Sequence, residues 1–135
     1  MNLVRQVVYR GVAMVGVTAA IAVAMAAPAS ANRAGACNHN QSLCNTMYGK
    51  NLHVDDVLGV RYDGLSDTGI GFFQIFGPHG YKRTGDTVKG EVEHRFEVNK
   101  DFAVGDLICL QFWAKNKDGS FTQKGGNVCG TMPIK

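Results

Sequence analysis

The residues with the greatest chemical reach in this chain are four cysteines, Cys37, Cys44, Cys109 and Cys129, and four histidines, His39, His53, His79 and His94. Thiolate and imidazole suit zinc, so Cys37, His39 and Cys44, with His53 as a distant fourth, are the first ligand set to weigh. Their spacing matches no finger or ribbon pattern, and cysteines in an exported chain oxidise more readily than they hold a metal. The expectation is two disulfides and no metal. Nucleophilic catalysis lacks its parts as well. There is no Gly-x-Ser-x-Gly elbow, and Ser42, Ser66 and Ser120 lie in polar turns. Bridged cysteines leave no thiolate. Asp55 and Asp56 are adjacent, which on a regular strand points them to opposite faces. His94 falls on the dry face of an alternating strand and reads as a hydrogen-bonded core histidine, and His79, beside Pro78, as a solvated turn residue. Arg83-Thr84-Gly85-Asp86 reads as a turn. No catalytic residue and no cofactor are expected, so the chain reads as a non-enzyme.

The elements that must position the cysteines are clearest near the C-terminus. Leu107-Ile108-Cys109-Leu110-Gln111-Phe112-Trp113-Ala114 is nearly all apolar, the pattern of a strand covered on both faces. Asp118-Gly119 is a strong hairpin signal, because glycine accepts positive φ without a Cβ clash. Folding about Gly119 brings Cys129 opposite Cys109, within bonding reach if both share a face. Gly125-Gly126 interrupts the returning strand, where a bulge would absorb the odd residue. Of the three possible connectivities, the adjacent one, Cys37 to Cys44 and Cys109 to Cys129, fits this hairpin.

The start of the chain has the form of a secretory leader. Arg5 and Arg10 precede the apolar, alanine-rich run from Gly11 to Ala26, and Ala29-Ser30-Ala31 is an A-x-A cleavage site. The run is short and weakly apolar for a bilayer core of about 30 Å. Cleavage after Ala31 would leave 104 residues, one domain in size, secreted and without a membrane segment. Losing Arg5 and Arg10 lowers the formal net charge from +3 to +1. So small a charge excludes the clustered cations that release phosphate counterions, and no nucleic-acid partner is expected.

Beyond the leader, Asn32, Arg33, Ala34, Gly35 and Ala36 are small and polar and read as a flexible extension. Cys37 to Cys44 reads as a polar disulfide loop, and Asn45 to Asp56 as irregular. The domain division expected is therefore leader 1–31, extension and loop 32–56, and a β-domain 57–135. Within the last, Val57 to Tyr62 ends at Asp63-Gly64, and Ile70 to Phe76 stops at Gly77-Pro78-His79-Gly80. In Val92-Glu93-His94-Arg95-Phe96-Glu97-Val98, strict alternation gives one dry and one wet face. Short strands with Gly and Asp punctuation predict an all-β, antiparallel, immunoglobulin-like sandwich of six or seven strands with two disulfides. The bridge within one hairpin departs from the inter-sheet bridge of antibody domains.

Function then rests on binding. An extended segment beside a disulfide-braced β-domain suits strand addition to another secreted protein, with Asn32 to Ala36 as the contact. Alternatively, the Cys37 to Cys44 loop, or Met47-Tyr48 beyond it, presents an inhibitor segment to a protease or other hydrolase. A third reading uses Trp113, Tyr48, Tyr62 and Tyr81 as a sugar platform on a small glycan-binding antimicrobial protein, although Trp113 in so apolar a run reads first as core. Phe76-Gly77-Pro78, His94-Arg95-Phe96-Glu97-Val98-Asn99 and Cys109-Leu110-Gln111-Phe112-Trp113, together with the leader, resemble small exported β-proteins of filamentous actinobacteria. Within that group the chain is similar to the adaptor subunit of umbrella-shaped antibacterial toxin particles. The resemblance implies a non-catalytic connector whose N-terminal extension links a lectin subunit to the spokes of a large toxin chain.

Overall fold

The computed structural model describes residues 32–62 and 65–135; the expected leader, 1–31, and the Asp63-Gly64 turn lie outside them. Nine strands are present among the described residues: β1 (Asn32–Cys37), β2 (Leu43–Lys50), β3 (His53–Arg61), β4 (Ile70–Phe76), β5 (Lys82–Thr84), β6 (Val88–Lys89), β7 (Glu93–Asp101), β8 (Leu107–Lys115) and β9 (Phe121–Thr131). They form two antiparallel sheets. The first has the order β1-β2-β3-β7 and the second β5-β4-β8-β9, with β6 also on β4.

The sheets bury one face each against the other. Leu43, Met47, Val54, Val57, Phe96 and Val98 enter the core from the first sheet, and Phe73, Ile75, Ile108, Leu110, Phe112 and Val128 from the second. Complete burial of each such side chain stabilises by about 1.5–3 kcal/mol relative to leaving it exposed. Close approach is permitted where a side chain is missing. A Cβ on Gly59 of β3 would lie 2.7 Å from Leu110 Cδ1 and 3.0 Å from Phe73 Cδ1. A buried polar side chain helps to tie the layers: Asn45 on β2, 1% exposed, donates from Nδ2 to the carbonyls of Ile108 (2.9 Å) and Val128 (3.0 Å).

The central hairpin forms as expected. β8 pairs with β9 with Cys109 opposite Cys129, and Gly119 takes φ +89° in the turn. The register shifts between Leu110 and Phe112, where Gly125 (φ +81°) and Gly126 (φ +69°) form the bulge. Both disulfides, Cys37–Cys44 and Cys109–Cys129, join residues directly opposite in antiparallel pairs. β4 spans the expected residues, and His94, Phe96 and Val98 point inward between exposed Glu93, Arg95 and Glu97. Val92, expected with the dry set, precedes β7 and is exposed.

Other expectations are corrected. Asn32 to Ala36, read as a loose extension, is hydrogen-bonded along β2 as strand β1, with Ala34 and Ala36 against the core. Asn45 to Asp56, read as irregular, supplies most of β2 and the start of β3, so a boundary at residue 57 falls inside a strand. The inward set of β2 is Leu43, Asn45, Met47 and Gly49; an amide and a glycine in alternate inward positions erase the apolar period. The strand count of six or seven rises to nine through β1, β2 and the short β5 and β6. Finally, β8 is not covered on both faces. Leu107 is 47% exposed and Gln111 and Trp113 are half-buried on its outer side, while Ile108, Leu110, Phe112 and Ala114 fill the core.

Candidate functional site

The residues singled out for chemistry are dispersed. With Cys37 and Cys44 oxidised, the zinc set weighed above loses its thiolates, and His39 sits in the exposed β1–β2 turn far along the sheet from His53. Among the described residues no group of three His, Cys, Asp or Glu side chains is placed to hold a metal ion. His94 bonds through Nδ1 to Glu91 Oε1 at 2.7 Å, and its ring packs beside Phe73 and Phe96. His79 has φ +55° in the Pro78–Gly80 turn and is exposed.

The outer face of β3 and β7 carries the main charged cluster. A bulge between Val54 and Asp56 defeats the alternation that would separate the two aspartates, and both line an open cleft of about 560 Å³ with Arg95, Glu97 and Asn99. Arg95 pairs with Asp56, and its guanidinium lies 5.1 Å from the centre of the Tyr48 ring. Beside them His53 Nδ1 bonds to Asp101 Oδ1 (2.6 Å) and Nε2 to Asn99 Oδ1 (3.1 Å). The hydrogen bond to Asp101 is the main reason that the His53 pKa is raised above 6.5. Asp101 thus favours the protonated ring, and the cluster gathers both signs of charge on this face of the sheet.

β1 offers a different kind of surface. The Asn38 N–H bonds to the Leu43 carbonyl, which by antiparallel alternation makes Cys37–Cys44 a non-hydrogen-bonded pair. The N–H and C=O groups of Cys37, Gly35 and Arg33 therefore face away from β2, and no described strand pairs with that edge. Arg33 is the one charged residue in β1, which has no proline or lysine. At its end the β1–β2 turn is tied by Asn38 to Ser42 Oγ (2.9 Å) and to the Leu43 N–H (3.1 Å).

The third surface is the outer face of the second sheet. Phe72 on β4 lies directly opposite Trp113 on β8, their ring planes within 12° of parallel and their centroids 6.3 Å apart. Phe121, which opens β9, sets its ring 5.3 Å from that of Phe72 and is 39% exposed. A row of amides runs beside the rings. Trp113 Nε1 donates to Gln111 Oε1 (3.3 Å), Gln111 Nε2 to Asn127 Oδ1 (2.9 Å), and Gln123 Nε2 to the same Asn127 oxygen (2.8 Å). The tyrosines expected beside Trp113 are elsewhere: Tyr48 lies under Arg95, Tyr62 is exposed at the end of β3, and Tyr81 packs edge-on against Phe102. Sequence reasoning missed Phe72 and Phe121, whose signal was the alternation of Phe72 with the buried Phe73 and the position of Phe121 just past the hairpin turn.

No protein-family model, no curated protein and no solved structure matches this chain.

Proposed function

We propose that this protein is an exported, non-catalytic adaptor that joins another secreted protein by strand addition along the free edge of β1. The observation that supports this reading is the outward row of main-chain groups on Arg33, Gly35 and Cys37, which no described strand pairs and whose middle, Ala34 to Ala36, carries only small side chains. The β1–β2 ladder and the Cys37–Cys44 bridge already hold this edge extended, so a docking peptide gains hydrogen bonds without the cost of ordering it. Sheets ordinarily guard such an edge with charged side chains, proline or a bulge; β1 has no proline and no bulge, and Arg33 near its start is its one charge. The leader-like start and the two disulfides favour an oxidising, extracellular setting. The resemblance to toxin-particle adaptors agrees with the same role, with β1 as an ordered edge in place of a loose tail.

Gly35→Pro tests the reading. It removes an outward N–H while sparing the bonds to β2, and a Cβ at Gly35 meets nothing closer than 3.7 Å. Expected is loss of the stoichiometric partner recovered with the wild-type protein from native culture fluid, with little change in melting temperature. Recovery of the same partner by the folded variant would refute the docking edge. The inhibitor reading is less well served, because Met47 is completely buried beneath Gly130 and Tyr48 lies on a flat strand.

A further inference from the structure

We infer that the outer face of the second sheet is a binding site for a neutral β-1,4-linked glycan chain, formed where Phe72, Trp113 and Phe121 adjoin the amides of Gln111, Gln123 and Asn127. This surface and the β1 edge belong to different sheets, so the inference stands apart from the adaptor reading.

The rings and the amides each ask for one half of a pyranose. Two near-parallel rings with a third at their side leave apolar area exposed on a flat strand surface, suited to the C–H faces of sugar rings. Phe72 and Trp113 lie near parallel with centroids 6.3 Å apart and Phe121 stands edge-on 5.3 Å from Phe72, so the strip runs across three strands and offers an extended chain more contact than a single sugar. Asn127 Oδ1 accepts from two donors, and among the described residues Asn127 Nδ2 and Gln123 Oε1 have no side-chain partner, so both can meet hydroxyl groups. Gln74 likewise donates to Thr84 Oγ1 and keeps its own oxygen open. An apolar protein surface pressed here would bury those groups unpaired, which is costly; a hydroxyl-rich chain supplies both donors and acceptors.

Charge selects within the glycans. Outward positions on β4, β8 and β9 carry no carboxylate; Lys82 and Lys89 stand at the margin opposite Phe76 and Ile70, Lys115 stands at the end of the strip opposite Phe121, and Lys124 follows Gln123 along β9. The centre of the strip is uncharged, which favours a neutral ligand held by stacking and hydroxyl contacts.

Trp113 is the only tryptophan in the chain, so its fluorescence reports this face alone. Titration with cellohexaose and with the N-acetylglucosamine hexamer is expected to give a saturable shift in emission for at least one of them. Phe121→Ala and Gln123→Ala, both at partly exposed positions, are each expected to weaken binding about tenfold or more with the melting temperature held, a loss of about 1.4 kcal/mol. Gly35→Pro is expected to bind the oligosaccharide as the wild type does. The inference is overturned by the absence of both a fluorescence change and a calorimetric signal with millimolar oligosaccharide. It is equally overturned by binding that survives both variants, or by binding confined to an anionic chain such as alginate.

Discussion

His53 is one residue through which pH acts on the stability of this protein. Its two ring nitrogens face the oxygens of Asp101 and Asn99, and only the imidazolium can donate to both at once. Folding therefore favours the protonated ring, with the Asp101 hydrogen bond the largest cause. The stability this adds is fully present below the ordinary value of 6.5 and is lost as pH rises through the higher value of the folded state. NMR titration should find His53 above 6.5, and Asp101→Asn should bring it back down; an unmoved titration would show that Asp101 is not the cause. Asn45 works by geometry instead. Asn45→Ala removes a buried donor shared by two carbonyls across the sandwich and should cost about 1–3 kcal/mol in denaturant unfolding. Asn45→Leu at the same site tests whether volume alone restores the loss.

The β8–β9 hairpin and the β1–β2 hairpin are each closed by a disulfide, yet they brace different things. Cys109 is 5% exposed in the strand flanked by β4 and β9, whereas Cys37 is exposed at the tip of an edge hairpin. In the chain-entropy account the shorter loop contributes about 2.5 kcal/mol and the longer about 3.3 kcal/mol. Cys109→Ala with Cys129→Ala should therefore lower the unfolding midpoint of the whole domain. Cys37→Ala with Cys44→Ala should cost less and chiefly speed amide exchange along β1, since among the described strands only β2 pairs with it. Equal loss of protection across both sheets in the second variant would contradict this division. Packing between sheets is equally local. Gly59→Ala forces Leu110 and Phe73 apart and should destabilise by about 1–3 kcal/mol, read from the midpoint at constant denaturant slope.

At the scale of the molecule, two candidate contact surfaces share one core without sharing residues. The β1 edge belongs to the first sheet and the aromatic strip to the second. Changes at well-separated sites with no common partner add nearly independently. A Gly35→Pro and Phe121→Ala double variant should accordingly lose both binding activities and melt at a temperature given by the sum of the two single shifts. A marked departure from additivity, seen by calorimetry, would mean that the surfaces are coupled through the core.

Much of this was written locally in the chain. Asp118-Gly119, the equal spacing of Cys109 and Cys129 about that turn, Gly125-Gly126 and the alternation from His94 to Val98 each encode their structure within one hairpin or one strand, so neighbours along the chain suffice to specify it. Burial is not a local property. Nothing in Leu107 to Ala114 says that only one face would find a partner sheet, and nothing in Asn45 to Asp56 says that an asparagine and a glycine would point inward, because both depend on what the opposite layer supplies. The same holds for the strip of Phe72, Trp113 and Phe121: its residues come from three strands, and only the pairing register places their rings side by side.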